Sequence, residues 1–247
     1  MTINSKRSAK NEAGDVCAVI VAAGRGVRMN SAVPKQYLPL AGKPVLAHTL
    51  AAFDACRSVD RIVVVAAAEE FERCRRDILP AATCRKPVLL AEGGARRGDS
   101  VRSGLKTAGR GAEVAVIHDG VRPLIRPDQI SRVASAARKV GACILAAPAF
   151  DTLKAVDADK RICETLDRSR IWMAQTPQAF RFELILKAHE KAAADGVSGT
   201  DDAFLVERMH LPVHVMEGDA FNLKITTAKD LEVAEALLKP EGKRVRG

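Results

Sequence analysis

The apolar positions of the chain fall into short continuous runs separated by segments of helical period. The runs CAVIVAAG (17–24), RIVVVAA (61–67), PVLLAE (87–92), EVAVIHD (113–119) and CILAAP (143–148) read as strands. A strand covered on both faces has no polar side with which to alternate, so it appears as an unbroken apolar run. Between them, Val45, Leu46, Thr49, Leu50 and Phe53 mark one helix. The segments 69–79 and 98–108, and the set Ile130, Val133, Ala134 and Ala137, mark three more. Strands that alternate with helices predict an α/β fold, a mostly parallel, doubly wound, Rossmann-like sheet flanked by helices on both faces.

The alternation breaks at 150–172. There TLKAV and ICETL flank the polar turn ADKR (158–161), the pattern of an antiparallel hairpin that projects as an arm. Helices follow near 182–195 and 201–210, then a strand PVHVME (212–217) and a last helix from 227. Thr227 and Asp230 form a capping-box start for that helix. The polar segment 1–14 reads as a flexible N-terminus, 15–238 as one domain carrying the arm, and 239–247 as a basic tail.

Open α/β sheets bind ligands beyond the C-terminal ends of their strands, which selects the segments after Ala23, Glu92 and Ile117. The first of these is AAGRGVRM (22–29). Its glycines, Gly24 and Gly26, let backbone N–H groups approach a ligand and cradle phosphates. A dinucleotide fingerprint needs a third glycine where Met29 stands, and a Walker A loop needs a Gly-Lys-Ser/Thr ending that is missing. Arg28, and Lys35 of PKQYL (34–38), add two cations beside this turn. Two cations there suit a polyphosphate better than a nicotinamide; the alternative is that both are solvated surface charges.

Composition narrows the classes further. Of 247 residues, 47% are hydrophobic and 28% charged, as in a soluble globular protein rather than a disordered or membrane-spanning one. The longest apolar runs are too short to cross a bilayer, and the N-terminus lacks the apolar core of a secretory signal. Lys and Arg number 39 against 30 Asp and Glu, a net charge of +9 that suggests an anionic partner. Aromatics are only 4%, which argues against a nucleic-acid platform of stacked rings. None of the six cysteines forms a Cys-x-x-Cys pair, so a zinc or redox site lacks support and a reduced cytoplasm is the expected compartment. Of the histidines, His118 ends a strand and reads as hydrogen-bonded structure or as a general base. His48, His189, His210 and His214 show no metal-ligand spacing.

The motifs AAGRGVRM, PKQYL, LAGKPVL (40–46), GGARRGDSVRSGL (93–105), HDGVRP (118–123), DTLK (151–154), LDRSRIWMAQTPQAF (166–180), TDDA (200–203) and NLKIT (222–226) stand in one order along nearly the whole chain. Together they resemble the 2-C-methyl-D-erythritol 4-phosphate cytidylyltransferases. The resemblance implies a nucleotidyltransferase that joins CTP to a polyol phosphate and releases pyrophosphate, in non-mevalonate isoprenoid biosynthesis. It implies Arg28 and Lys35 as transition-state stabilisers, and Arg168 and Lys224 as the residues that position the attacking phosphate. Arg122, Thr152 and Thr200 match positions that bind the same substrate. Ala22, Ala23, Gly24, Gly26, Gly94, Ser100 and Asp119 match the nucleotide site. Mg²⁺ is implied because CTP arrives as a metal complex, with Asp119 the candidate carboxylate. The arm implies a homodimer, in which Arg168 completes the neighbouring site; neither nucleic acid nor membrane is an expected partner.

Two departures stand out. Gly120 and Val121 replace two alanines usual in the family pattern, and Ala95 stands where an acidic residue is frequent, which removes a side-chain contact to the base. A fused cyclodiphosphate synthase domain, carried by some relatives, has no room before Gly247. The rival transferase is a ribitol 5-phosphate cytidylyltransferase; from other classes come a nicotinamide oxidoreductase and a basic nucleic-acid-binding protein.

Overall fold

The structure, a computed structural model, describes residues 14–24 and 33–238. The segments read as a flexible N-terminus and a basic tail lie, apart from Gly14, outside the described residues.

The strands are β1 (Val16–Val21), β2 (Pro39–Leu40), β3 (Lys43–Pro44), β4 (Arg61–Ala66), β5 (Val88–Glu92), β6 (Val114–Asp119), β7 (Ala142–Pro148), β8 (Lys154–Val156), β9 (Ile162–Thr165), β10 (Trp172–Arg181) and β11 (His214–Glu217). Seven of them form one sheet in the order β11-β7-β10-β6-β1-β4-β5. Pairing is parallel except along β10, which runs antiparallel to both β6 and β7. The mostly parallel sheet expected from the apolar runs is therefore present. Strand β10 is the element that the hydrophobic pattern does not announce: Gln175, Thr176, Pro177 and Gln178 interrupt what would otherwise be an apolar run, and a proline normally argues against a central strand. Here the ladder with β7 slips between Ala174 and Gln178, and that irregularity absorbs the proline.

The main helices are α1 (Val45–Ala55), α2 (Phe71–Arg73), α3 (Leu79–Ala82), α4 (Arg97–Ala108), α5 (Pro127–Val140), α6 (Phe182–Ala194), α7 (Ala203–Glu207) and α8 (Ala228–Leu238). The segment expected as one helix at 69–79 is α2 and α3 joined by a π-helical stretch at Cys74–Ile78. The helix expected over 201–210 contracts to α7. Alternate residues of β1 show how the two faces are covered. Val16, Ala18 and Ile20 pack with Leu46, Leu50 and Phe53 of α1 and Ile130 and Val133 of α5. Cys17 and Val19 pack with Val101 and Leu105 of α4 and Ile185 of α6. Helix α4 lies unusually close to the sheet: a Cβ on Gly104 would fall 2.5 Å from Val19 Cγ1 and 2.7 Å from Val65 Cγ2. Helix α8 starts on the expected reciprocal cap, Thr227 N–H donating to Asp230 Oδ2 at 2.7 Å and Asp230 N–H to Thr227 Oγ1 at 3.3 Å.

Strands β8 and β9 pair antiparallel as a separate two-stranded arm, as the 150–172 pattern predicts. Its residues are exposed, Phe150 to 71% and Ile162 to 65%.

Candidate active site

Strands β6, β1, β4 and β5 lie side by side in the sheet, and a cavity of about 620 Å³ opens beyond their C-terminal ends. Ala22, Ala23, Gly24, Lys35, Gly94, Ser100, Asp119 and Lys224 line it, so most of the predicted nucleotide site is brought together. Gly26 and Arg28 lie outside the described residues. A second cavity of about 200 Å³ adjoins the first and shares Arg97, Asp119 and Lys224 with it; Arg122 and Thr200 line this side. Thr152 and Arg168 line neither. They sit exposed at the base of the arm, where the Arg168 guanidinium donates to the Phe150 carbonyl.

Small side chains and local hydrogen bonds shape the larger cavity. Buried Gln36 donates from Nε2 to the carbonyls of Ala22 at 2.7 Å and Gly24 at 3.1 Å, and so pins the entry to the glycine-rich turn. Opposite, Gly94 N–H donates to Ser100 Oγ at 3.1 Å. A Cβ on Gly93 would meet Ala23 Cβ at 2.2 Å, so the two turns approach only because that position is glycine. The first turn of α4 borders the cavity through Arg97 and Ser100, and a helix N-terminus favours anions. Ala95 also lines the wall and brings no polar side chain there. At Gly120, an added Cβ would sit 2.9 Å from Leu46 Cδ1 and 3.1 Å from the Val21 carbonyl oxygen. The glycine of the Gly-Val departure thus stands where a Cβ would crowd α1 and the end of β1.

The floor is electrostatic. Asp119, at the end of β6, accepts from Arg97 Nε at 3.3 Å, has Lys224 Nζ at 2.7 Å, and faces Arg122 Nε at 3.8 Å. Burial alone would raise its pKa, but the charges of Arg97, Lys224 and Arg122 hold the carboxyl well below the usual range. Lys224 is carried by a segment tied from both sides. Asn222 Nδ2 donates to Gln175 Oε1 and the Thr176 carbonyl, and Arg122 donates to the Asn222 carbonyl at 2.6 Å.

His118 is fully engaged. Thr176 Oγ1 accepts from Asp119 N–H, which leaves its hydroxyl hydrogen for His118 Nδ1 at 3.1 Å. His118 Nε2 lies 3.2 Å from the Arg122 carbonyl, which can only accept. Desolvation pushes the His118 pKa down to about 3. A neutral imidazole with both nitrogens committed has no lone pair to offer a substrate, so the structural reading of this histidine holds.

A family model for 2-C-methyl-D-erythritol 4-phosphate cytidylyltransferase matches residues 16–240. The chain belongs to that family. A protein of that name from Caldanaerobacter subterraneus subsp. tengcongensis is 45% identical over 225 residues, covering 91% of this chain and 99% of its own. Another, from Syntrophus aciditrophicus, is 46% identical over 230 residues, covering 93% and 98%. Among solved structures, 4-diphosphocytidyl-2C-methyl-D-erythritol synthase from Anaerococcus prevotii superposes with a TM-score of 0.81 at 33% identity, over 92% of this chain and 97% of that one.

Several members of the cluster were not singled out from the sequence: Gln36, Arg97, Thr176, Gln178, Asp202 and Asn222. All stand inside the family motifs quoted above. Their signal was a polar residue within a motif, but the partners lie as much as 100 residues apart, as for Arg122 and Asn222.

Proposed function

We infer that the protein transfers CMP from CTP to 2-C-methyl-D-erythritol 4-phosphate, forming 4-diphosphocytidyl-2-C-methyl-D-erythritol and pyrophosphate in the non-mevalonate route to isoprenoid precursors. Beside the family membership, the observation that carries this reading is the pair of adjoining cavities that share Arg97, Asp119 and Lys224. One has the volume for a nucleotide, the other for a small phosphorylated polyol, and the shared cations suit the phosphates that must meet between them.

The reaction is an in-line attack of the polyol phosphate on the α-phosphorus of CTP. The P–O bond to the polyol phosphate forms as the bond to pyrophosphate breaks. A phosphate monoester has a second pKa of about 6, so near neutral pH it is already largely dianionic. No general base is needed, and the commitment of both His118 nitrogens agrees with that. Catalysis then rests on holding two anions in line and on stabilising the charge that builds up between them. We assign the latter to Lys35 and Arg28 and the former to Lys224, Arg122, Thr200, Thr152 and Arg168. The backbone of Ala22, Ala23, Gly24, Gly26 and Gly94, with Ser100, reads the base.

No three His, Cys, Asp or Glu side chains among the described residues gather as a metal site. Asp119 has Arg97 on one oxygen and Lys224, with Arg122 at 3.8 Å, on the other, and keeps further lone pairs, which suits an ion that is carried mainly by the substrate's phosphates. Asp119 would hold Mg²⁺ in that way, and the ion would neutralise phosphate charge.

Thr152 and Arg168 gain a role if the arm reaches a second copy of the chain. The exposed apolar residues Phe150, Val156 and Ile162 support a homodimer through this arm. Six free cysteines, four of them buried, support a reducing cytoplasm. The test is pyrophosphate release by purified protein with CTP and each polyol phosphate. Faster turnover of ribitol 5-phosphate than of 2-C-methyl-D-erythritol 4-phosphate overturns the reading.

A further inference from the structure

Arg97 lines both cavities and bridges two buried carboxylates. Its Nε donates to Asp119 Oδ1 at 3.3 Å, and a terminal nitrogen lies 2.9 Å from Asp202 Oδ2. Asp202 is 1% exposed and lines neither cavity. Its other oxygen faces Nε2 of buried His189, on α6, at 3.1 Å. Gln178 Oε1 on β10 accepts from the backbone N–H of Asp202 and of Ala203, which fixes the start of α7. A connected polar chain thus runs from α6 through α7 to the first residue of α4 and on to the floor of the site.

The three cations around Asp119 differ in freedom. The Lys224 side chain is 37% exposed and ends in an ammonium on a flexible stem, whereas Arg122 is 12% exposed and tied to the Asn222 carbonyl. Arg97 meets a buried carboxylate at both ends of its guanidinium, through a hydrogen bond to Asp119 and an ion pair with Asp202. A substrate phosphate that enters the site competes with Asp119 for Lys224. A buried carboxylate that loses its counter-charge is strongly destabilised, so Lys224 can leave only if another cation stays. Arg122 stays at 3.8 Å from Asp119, but Arg97 is the nearer cation and the one hydrogen-bonded to it, and its contact with Asp202 holds it against following the phosphate. A guanidinium fork can span two carboxylates in this way and an ammonium cannot.

We propose that Asp202, supported by His189, is a positioning residue that fixes Arg97 as the standing counter-charge of Asp119, so that Lys224 is free to leave Asp119 for the substrate phosphate. The proposal rests on the reaction assigned above. It concerns residues that touch no substrate, so its effects must travel through Arg97.

The experiment is steady-state kinetics with CTP and 2-C-methyl-D-erythritol 4-phosphate varied separately, together with thermal melts, for wild type, Asp202→Asn, His189→Leu, His189→Gln and Arg97→Lys. Misplaced reacting groups lower kcat, so Asp202→Asn and His189→Leu are expected to lose about tenfold or more in kcat. Their KM for CTP should stay within about threefold of wild type. His189→Gln keeps an N–H donor for Asp202 and retains most of kcat. Arg97→Lys keeps the charge without the span and falls with Asp202→Asn. A merely structural pair would lower the melting temperature and leave kcat of the folded protein unchanged. Wild-type kcat in folded Asp202→Asn or His189→Leu overturns the proposal; if both fail to fold, wild-type kcat in Arg97→Lys overturns it. A wild-type protein that does not turn over this pair of substrates overturns the assigned reaction itself.

Discussion

The floor of the site and the arm are built in opposite ways, although residues from both are assigned to one reaction. Asp119 and His118 end a strand buried on both faces, and each is held by groups from at least two other elements. The arm is two short strands whose residues are nearly all exposed. An isolated two-stranded hairpin is marginal in water. A side chain on the floor is therefore placed by the chain's own core, while Thr152 and Arg168 depend on whatever covers the arm. The contrast teaches that the described residues assigned to the nucleotide are placed by the chain's own core, whereas two of those assigned to the acceptor, Thr152 and Arg168, stand exposed on the arm.

The strongest way to probe the floor is to remove the cation it offers to the phosphate. Lys224→Ala should lower kcat/KM for the polyol phosphate by about 10²–10³, the loss expected for one preorganised electrostatic donor. The folded protein should remain, since Lys224 is partly exposed and its segment is anchored by Asn222. The corresponding attack on the arm is Val156→Asp with Ile162→Asp. Sedimentation should show dissociation, and activity per chain should fall at least about tenfold at concentrations where wild type is dimeric, because Thr152 and Arg168 no longer reach a neighbouring site. Loss of the dimer with full activity per chain would place the whole site in one chain and end the contrast.

Stability should respond in the core and not in the arm. Gly104→Ala forces a methyl group against Val19 and Val65 and should cost about 1–3 kcal/mol in denaturant unfolding, the range for overpacked cores. A change in pH tests the buried histidine. His118 titrates near 6.5 when unfolded and is pushed down to about 3 when folded, so between those values the unfolded chain binds the extra proton. Stability therefore falls as pH drops through that window, by about 2 kcal/mol from pH 7 to pH 5 for a single group shifted this far. His118→Asn should flatten that slope. Asp119 acts in the same direction at lower pH: its depressed pKa supplies stability above about 4 that is lost on further acidification. Catalysis should weaken below about pH 6 for another reason, protonation of the substrate phosphate.

The parts legible from sequence divide along the same line. Strands β1, β4, β6 and β7 announced themselves because burial on both faces removes every polar interruption. Strand β10 did not, because the same residues that break its apolar run, Thr176 and Gln178, serve the site: one holds His118 and the Asp119 backbone, the other fixes the start of α7. Lys35, Asp119 and Lys224 could be selected as charges within motifs. The Arg97–Asp202–His189 chain could not, since nothing local tells which arginine of GGARRGDS turns inward or which acid of TDDA it meets. The arm was visible as a hairpin, but a single chain does not specify what it touches.

The central claim is that fixed positive charge, without a general base, brings the phosphate nucleophile onto CTP. Its most direct test is the single-turnover rate of cytidylyl transfer in the double variant Arg28→Gln, Lys35→Gln at saturating substrates. A loss of at least about 10³ relative to wild type, with the protein folded, is the predicted result. An undiminished rate would contradict the account.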